Sequence, residues 1–241
     1  MKKTNRLAEE LFSNIFENIK EKEVVIFGEM HGTHEIPIIL SLFLKKASDF
    51  FDFDVLFEFP INFQKEIDDF FRSGDINILK SMDFFNNKDN NDGRNSLEYL
   101  NLINDLSNIN KNYFKNICVK FVDVTPDSSL LQNDREREIK DNVLRVLDND
   151  PKRKVFVIMG NVHASNSVFN SGSLSIFPVS YLLRKSLGNE KVFSVNLQPS
   201  SGEFFNFGVK SVSDLDNSND KIKKSFDYTF IIPKVSSASF L

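Results

Sequence analysis

This chain of 241 residues has one cysteine, three histidines and no tryptophan. The single Cys118 excludes an internal disulfide, and its place in a strand-like run reads as a small buried hydrophobe. Three histidines argue against a tight all-histidine zinc site, and there is no Cys-x-x-Cys pair to replace it. A Gly-x-Ser-x-Gly elbow, a Walker A loop and a Gly-x-Gly-x-x-Gly turn are all missing, so P-loop, dinucleotide and serine-elbow readings have no support. Neither sign of charge dominates: 30 basic against 34 acidic residues leave a formal net charge of -4, with no basic footprint for nucleic acid. No apolar run reaches membrane-spanning length. The N-terminal stretch 7–19 is interrupted by Glu9, Glu10, Asn14 and Glu17, so it makes no signal-peptide core. The chain therefore reads as cytoplasmic as written, with no membrane segment, and signal-independent secretion into a host is compatible with the same features. The 26 phenylalanines read as a compositional bias of the source that fills core positions.

Apolar runs at 23–28, 53–59, 117–124, 154–160, 191–197 and 226–232 predict strands; the first, second and fourth are nearly all apolar, as buried parallel strands are. Helical spacing occurs at 6–20, 34–47, 61–72, 95–108, 133–148 and 178–187. Alternating strands and helices predict a single α/β domain over 1–241 with a central, mostly parallel sheet flanked by helices. The polar stretch 86–93 predicts a loop over the functional edge of the sheet, and the last ten residues read as a loose tail.

All three histidines fall in two glycine-led motifs, Gly28-Glu29-Met30-His31-Gly32-Thr33-His34-Glu35 and Gly160-Asn161-Val162-His163. Each motif follows a predicted strand, which would bring the imidazoles to the carboxyl edge where open α/β sheets carry their sites. Thr33 is placed to cap the following helix. Glu29, His31 and Glu35 then fall in the strand-to-helix turn, and a carboxylate beside an imidazole is minimal equipment for general-base work. Glu58 ends a second apolar strand, where a carboxylate must find a partner or be protonated. Arg135 shares a helical face with Ile139 and Val146, and an arginine on a buried face calls for a carboxylate or a bound anion. Arg94 lies in a loop before a helix. Asp123, near a strand end, is either a carboxylate supporting the site or a turn former.

Taken together, the two Gly-x-x-His motifs, the Gly-Glu-x-His-Gly-Thr-x-Glu turn and the strand-ending Glu58 resemble the erythromycin esterase/ChaN-like superfamily, which includes the TIKI/TraB proteins. The Arg135-Glu136-x-x-Ile139-x-x-Asn142 helix resembles that group's Arg-Asp/Glu-x-x-Met-x-x-Asn helix, with Ile replacing Met. The Asp92-Gly93-Arg94 loop and the segment from Phe177 to Gly188 also resemble stretches of bacterial members. The resemblance implies helical cap elements at about 61–110 over the carboxyl edge. It implies a site of Glu29, His31, Glu58, His163 and Arg135, with Arg94, Glu35 and His34 toward the substrate. The group includes hydrolases of a macrolide lactone, metal-dependent peptidases, a haem-binding lipoprotein, and toxin and effector domains. The implied activity is thus hydrolysis of an ester or related bond in a small molecule or peptide by water activated at His31. The alternatives implied are a divalent metal held by Glu29, His31, Glu58 and His163, or a haem-binding or host-directed protein of this fold.

Overall fold

The computed structural model describes residues 2–86, 92–113, 115–125, 128–171, 174–214 and 225–241. Six parallel strands, numbered along the chain, form the central sheet: β1 (Val24–Glu29), β2 (Phe53–Pro60), β3 (Val119–Asp123), β4 (Lys154–Gly160), β7 (Val192–Pro199) and β10 (Tyr228–Ile232). Their spatial order is β10-β7-β1-β4-β2-β3, and every neighbouring pair is parallel. Each lies where an apolar run predicts a strand. Two small antiparallel hairpins add to this frame, β5 (Phe169–Ser171) with β6 (Leu174–Ile176) and β8 (Glu203–Phe205) with β9 (Val209–Ser211). No periodic pattern announces strands of three residues.

Alternate residues of β1, β2, β3, β4 and β7 enter two different cores, while the edge strand β10 feeds only the first. On one face Val25, Phe27, Phe57, Phe121, Phe156 and Val195 pack with α1 (Lys2–Ile19), α2 (Glu35–Ala47), α3 (Gln64–Ser73), the short α4 (Ile76–Ser81) and α5 (Asp83–Asn86), and α6 (Leu97–Tyr113). On the other, Val24, Ile26, Leu56, Val155, Val157 and Met159 pack with α7 (Gln132–Asn149) and α8 (Val179–Leu187). The phenylalanines concentrate on the first face, where rings such as Phe27, Phe43, Phe53 and Phe156 meet edge to face. The second face is built of Val, Ile, Leu and Met. Phenylalanine thus fills the thicker layer, which accounts for its abundance without a functional role.

This winding fixes where a site can form. The connections after β1 and β2 lead to helices of the first face, and those after β3 and β4 lead to α7 and α8 on the second. The chain leaves adjacent strands β1 and β4 in opposite directions, which opens a crevice at their carboxyl ends. Within residues 61–110, α6 joins the helical layer through Leu102, Ile103 and Leu106, while Phe84 meets Phe59 at a tilt and Phe85 meets it edge to face near the end of β2. Of the polar loop expected at 86–93, residues 87–91 lie outside the described residues.

Three local expectations are corrected. Cys118 is exposed, because it lies between buried Ile117 and Val119 and the alternation turns it outward. Thr33 does not cap α2: the helix starts at Glu35, and the Thr33 hydroxyl turns back to the Met30 carbonyl at 3.4 Å. The C-terminal residues are not a loose tail. Val235 and Ala238 are buried, and the segment pairs with the turn after β1 through the Thr33–Ser237 bridge.

Candidate active site

Four neighbouring strands, β1, β4, β2 and β3, each deliver chemistry at their carboxyl ends. β1 ends in Glu29 and leads to His31, β4 ends in Gly160 and leads to His163, β2 carries Glu58 and β3 ends in Asp123. Arg135, in the first turn of α7, and Arg94, just before α6, reach into the same place.

The two histidines are built alike. His31 Nδ1 lies 2.6 Å from Glu29 Oε1, and His163 Nδ1 lies 2.7 Å from Glu136 Oε1, the latter out of line for a hydrogen bond. Both Nε2 atoms turn toward Glu58, His31 at 3.8 Å from Oε2 and His163 at 3.3 Å from Oε1. Each imidazole is therefore backed by a buried carboxylate and aimed at a shared third one. Behind the first pair, the Tyr99 hydroxyl donates to Glu29 Oε1. Behind the second, Glu136 accepts from Gln132 Nε2 at 2.6 Å and from the Val179 N–H, in the first turn of α8, at 3.0 Å.

Glu58 is held from every side. Its Oε2 accepts the Gly160 N–H at 2.7 Å, and its Oε1 accepts Arg135 Nη2 at 2.7 Å and Arg94 Nη1 at 3.3 Å. Arg135 also grips Asp123 through Nε at 2.8 Å and Nη2 at 2.7 Å, a two-pronged contact that lysine cannot make. Arg94 adds Asp123 at 3.0 Å, the Glu58 carbonyl at 2.8 Å and Asp92 at 2.8 Å. Arg135 Nη1 lies 3.1 Å from His163 Nε2. Arginine can only donate, so in that contact the ring is neutral with its proton on Nδ1 toward Glu136.

Burial alone would lower the basicity of both histidines, but the carboxylates outweigh it and both pKa values are raised, through Glu29 and Glu58 for His31 and through Glu58 and Glu136 for His163. For Glu58 burial opposes the charged form, yet the rings of His163 and His31 and the two guanidiniums hold the carboxyl far below its usual range. Burial and the Glu29 carboxylate push the Tyr99 phenol well up, so it stays a donor. The raised histidines stabilise the fold fully below their ordinary 6.5, and that contribution fades as pH climbs through the raised values. Glu58 contributes above its ordinary 4.5, and its contribution is lost as pH falls toward its depressed value. Stability measured by urea unfolding across pH should therefore decline on both sides of a maximum at mildly acid pH. In a Glu58→Gln protein the acid limb should flatten.

Gly160 is required by space. A Cβ there would sit 3.0 Å from His31 Nε2, 3.5 Å from Glu58 Oε2 and 3.6 Å from His163 Cδ2, in the middle of this cluster. Beside the arginines opens a cleft of about 390 Å³ lined by Arg94, Arg135, Asp92 and Asp123 on its polar side and by Pro60, Phe63, Phe84 and Leu130 on its apolar side.

Of the expected site residues, the structure brings together Glu29, His31, Glu58, His163, Arg135 and Arg94. His34 and Glu35 point elsewhere: His34 Nδ1 meets Glu98 at 2.8 Å, and Glu35 accepts from Ser236. They follow His31 in sequence, but the start of α2 turns them toward the C-terminal segment. Sequence reasoning missed Tyr99, Glu136 and Gly160 as parts of the site. The ligand set considered for a metal does not fit one. Glu29 Oε1 is taken by His31 and Tyr99, guanidiniums occupy the cation positions around Glu58, and among the described residues no three His, Cys, Asp or Glu side chains are arranged to hold a metal ion. A haem seated in the cleft would meet no imidazole lining it as an axial ligand.

No protein-family model and no curated protein matches the chain. Among solved structures, a protein from Bacillus cereus is similar at 12% identity and a TM-score of 0.64, with 99% of each chain covered. A succinoglycan biosynthesis protein is similar at 11% identity and a TM-score of 0.63, over 95% of this chain and 92% of that one. An erythromycin esterase mutant in its open conformation is similar at 10% identity and a TM-score of 0.59, over 83% of this chain and 78% of that one. At these identities it is the fold that is common, and this chain shares it with an erythromycin esterase.

Proposed function

We propose that this protein is a hydrolase in which His31 takes a proton from water that attacks an ester or related acyl bond. The observation that carries this reading is the His31 ring itself, with Nδ1 tied to buried Glu29 and Nε2 left facing the Gly160–Glu58 edge. A proton on Nδ1, held by Glu29, leaves the Nε2 lone pair as the base. The 3.8 Å between Nε2 and Glu58 Oε2 is a span that one water bridges, which would orient it for attack. Negative charge developing on the acyl oxygen meets the Arg135 guanidinium, a fixed donor already in position. The imidazolium formed at His31, stabilised by Glu29, then returns its proton to the leaving group. The apolar side of the cleft at Pro60, Phe63, Phe84 and Leu130 would take the body of a small-molecule or peptide substrate. An esterase of the same fold supports this chemistry without naming the substrate.

A panel of neutral chromogenic esters assayed across pH tests the reading. The rate should rise with pH through the raised His31 value, since only the neutral ring is a base. Gly160→Ala should lose most turnover while its thermal unfolding stays near that of the parent, because the added methyl crowds a partly exposed ring that can swing aside. No hydrolysis of any ester or amide by the full chain would overturn the proposal.

A further inference from the structure

The turn that carries His31 is held from outside by three separate pieces of chain. Gly32, at φ +72°, offers its carbonyl to both the Phe205 N–H at 2.8 Å and the Ala238 N–H at 2.9 Å. A Cβ at Gly32 would lie 1.9 Å from the Phe205 carbonyl oxygen, and one at Gly93 would lie 2.3 Å from Gly32 Cα, so β8, the Gly93 loop and the turn are in direct backbone contact. The third piece is the C-terminal segment. The His34 N–H donates to Ser236 at 2.8 Å, and the Leu97 N–H, which opens α6, donates to Ser239 at 2.8 Å. Phe240 packs on Phe205 with ring centroids 4.6 Å apart.

Glu98 joins these pieces. Buried at 6% exposure, it receives His34 Nδ1 on Oε1 at 2.8 Å and the Ser239 N–H on Oε2 at 3.0 Å. The next residue is Tyr99, whose hydroxyl fixes the Glu29 carboxylate that holds His31. One helical turn therefore grips the His31 segment at both ends, through Tyr99 on the carboxylate and through Glu98 on His34 and the C-terminal segment.

We propose that Glu98 and residues 235–240 are positioning elements of the catalytic site, locking the His31 turn against α6 so that the imidazole stays registered on Glu29. A buried carboxylate spent on a half-exposed histidine and on the backbone amide of an exposed serine has no need in the core, since neither partner residue belongs to it. Its one common feature is the turn it closes. The raised basicity of His31 depends on that register, because the hydrogen bond and charge of Glu29, together with the charge of Glu58, are what outweigh burial.

The test is NMR titration of the histidine rings in the full chain, in Glu98→Gln, in Ser239→Pro, which deletes the N–H that Glu98 accepts, and in Ser239→Ala, which keeps it. Three histidines make the spectra assignable from single His→Gln variants. The expected result is a lower His31 titration midpoint in Glu98→Gln and Ser239→Pro, with His163 unmoved because Glu136 and Glu58 hold it independently, and with Ser239→Ala like the parent. Where an ester is turned over, kcat should fall by up to about a hundredfold in the same two variants with KM little changed. An unchanged His31 midpoint in both variants, or equal movement of His163, would overturn the proposal. The activity arm rests on the hydrolase reading; the titration does not, so a protein that hydrolyses nothing still decides this point.

Discussion

Replacing His31 by alanine is expected to cut ester turnover by about 10²–10⁴-fold, the share a positioned general base supplies, while the protein stays folded. The ring is 21% exposed and lies on a turn, so truncation opens no core cavity. Glu29 loses one partner but keeps the Tyr99 hydroxyl, which limits the cost to about 1–3 kcal/mol for a less well satisfied buried carboxylate. Two further variants separate the roles. Glu29→Gln leaves the imidazole in place without its anion, so the pH–rate profile should move its rising limb down toward the ordinary 6.5 and the maximal rate should drop less than in His31→Ala. Tyr99→Phe removes only the donor behind Glu29 and should cost less again. Turnover in His31→Ala within a few-fold of the parent, with the fold intact by circular dichroism, would remove His31 as the base.

The order of these three effects follows the order in which the residues are legible in the sequence. His31 and Glu29 sit in a glycine-led motif after an apolar run, and a parallel strand buried on both faces leaves that run as its mark. The six central strands are legible for the same reason. Tyr99 is not, because on α6 it occupies an ordinary core position between Ser96 and Leu100, and nothing local says that its hydroxyl faces a carboxylate. Glu136 sits within the charged run Asp134-Arg135-Glu136-Arg137-Glu138, where the helical spacing singles out Arg135 alone for the buried face. A signal was available, since Glu136 lies three residues before buried Ile139 just as Arg135 lies four before it, and both spacings share the inward face. The C-terminal segment left no signal. Its contacts are mainly backbone to backbone, and side-chain periodicity does not report them.

The largest stability effect is expected at Arg135. Its guanidinium is 22% exposed, and among the described residues it is the one cation that reaches Glu58, Asp123 and His163 together. Arg135→Met keeps the aliphatic stem and leaves two buried carboxylates sharing Arg94, so unfolding should become easier by about 3–5 kcal/mol, the cost of breaking a buried pair from one side. For a domain of this length that corresponds to a fall in Tm of about 6–20 °C. Arg135→Lys should recover only part of it, because a point charge cannot span Glu58 and both oxygens of Asp123. The defect should shrink as pH falls, since without Arg135 the Glu58 carboxyl is less strongly depressed and takes up its proton earlier, relieving the uncompensated charge. Combining Arg135→Met with Glu58→Gln should cost less than the sum of the two, which a double-mutant cycle measures directly. Arg137→Met is the control: that residue pairs with Asp134 on the exposed side of the same helix and should shift stability by about 0.5 kcal/mol or less. Equal losses at Arg135 and Arg137 would mean that the carboxylates are held by the sheet edge and Arg94 alone, and that Arg135 acts on the substrate rather than on the architecture of the site.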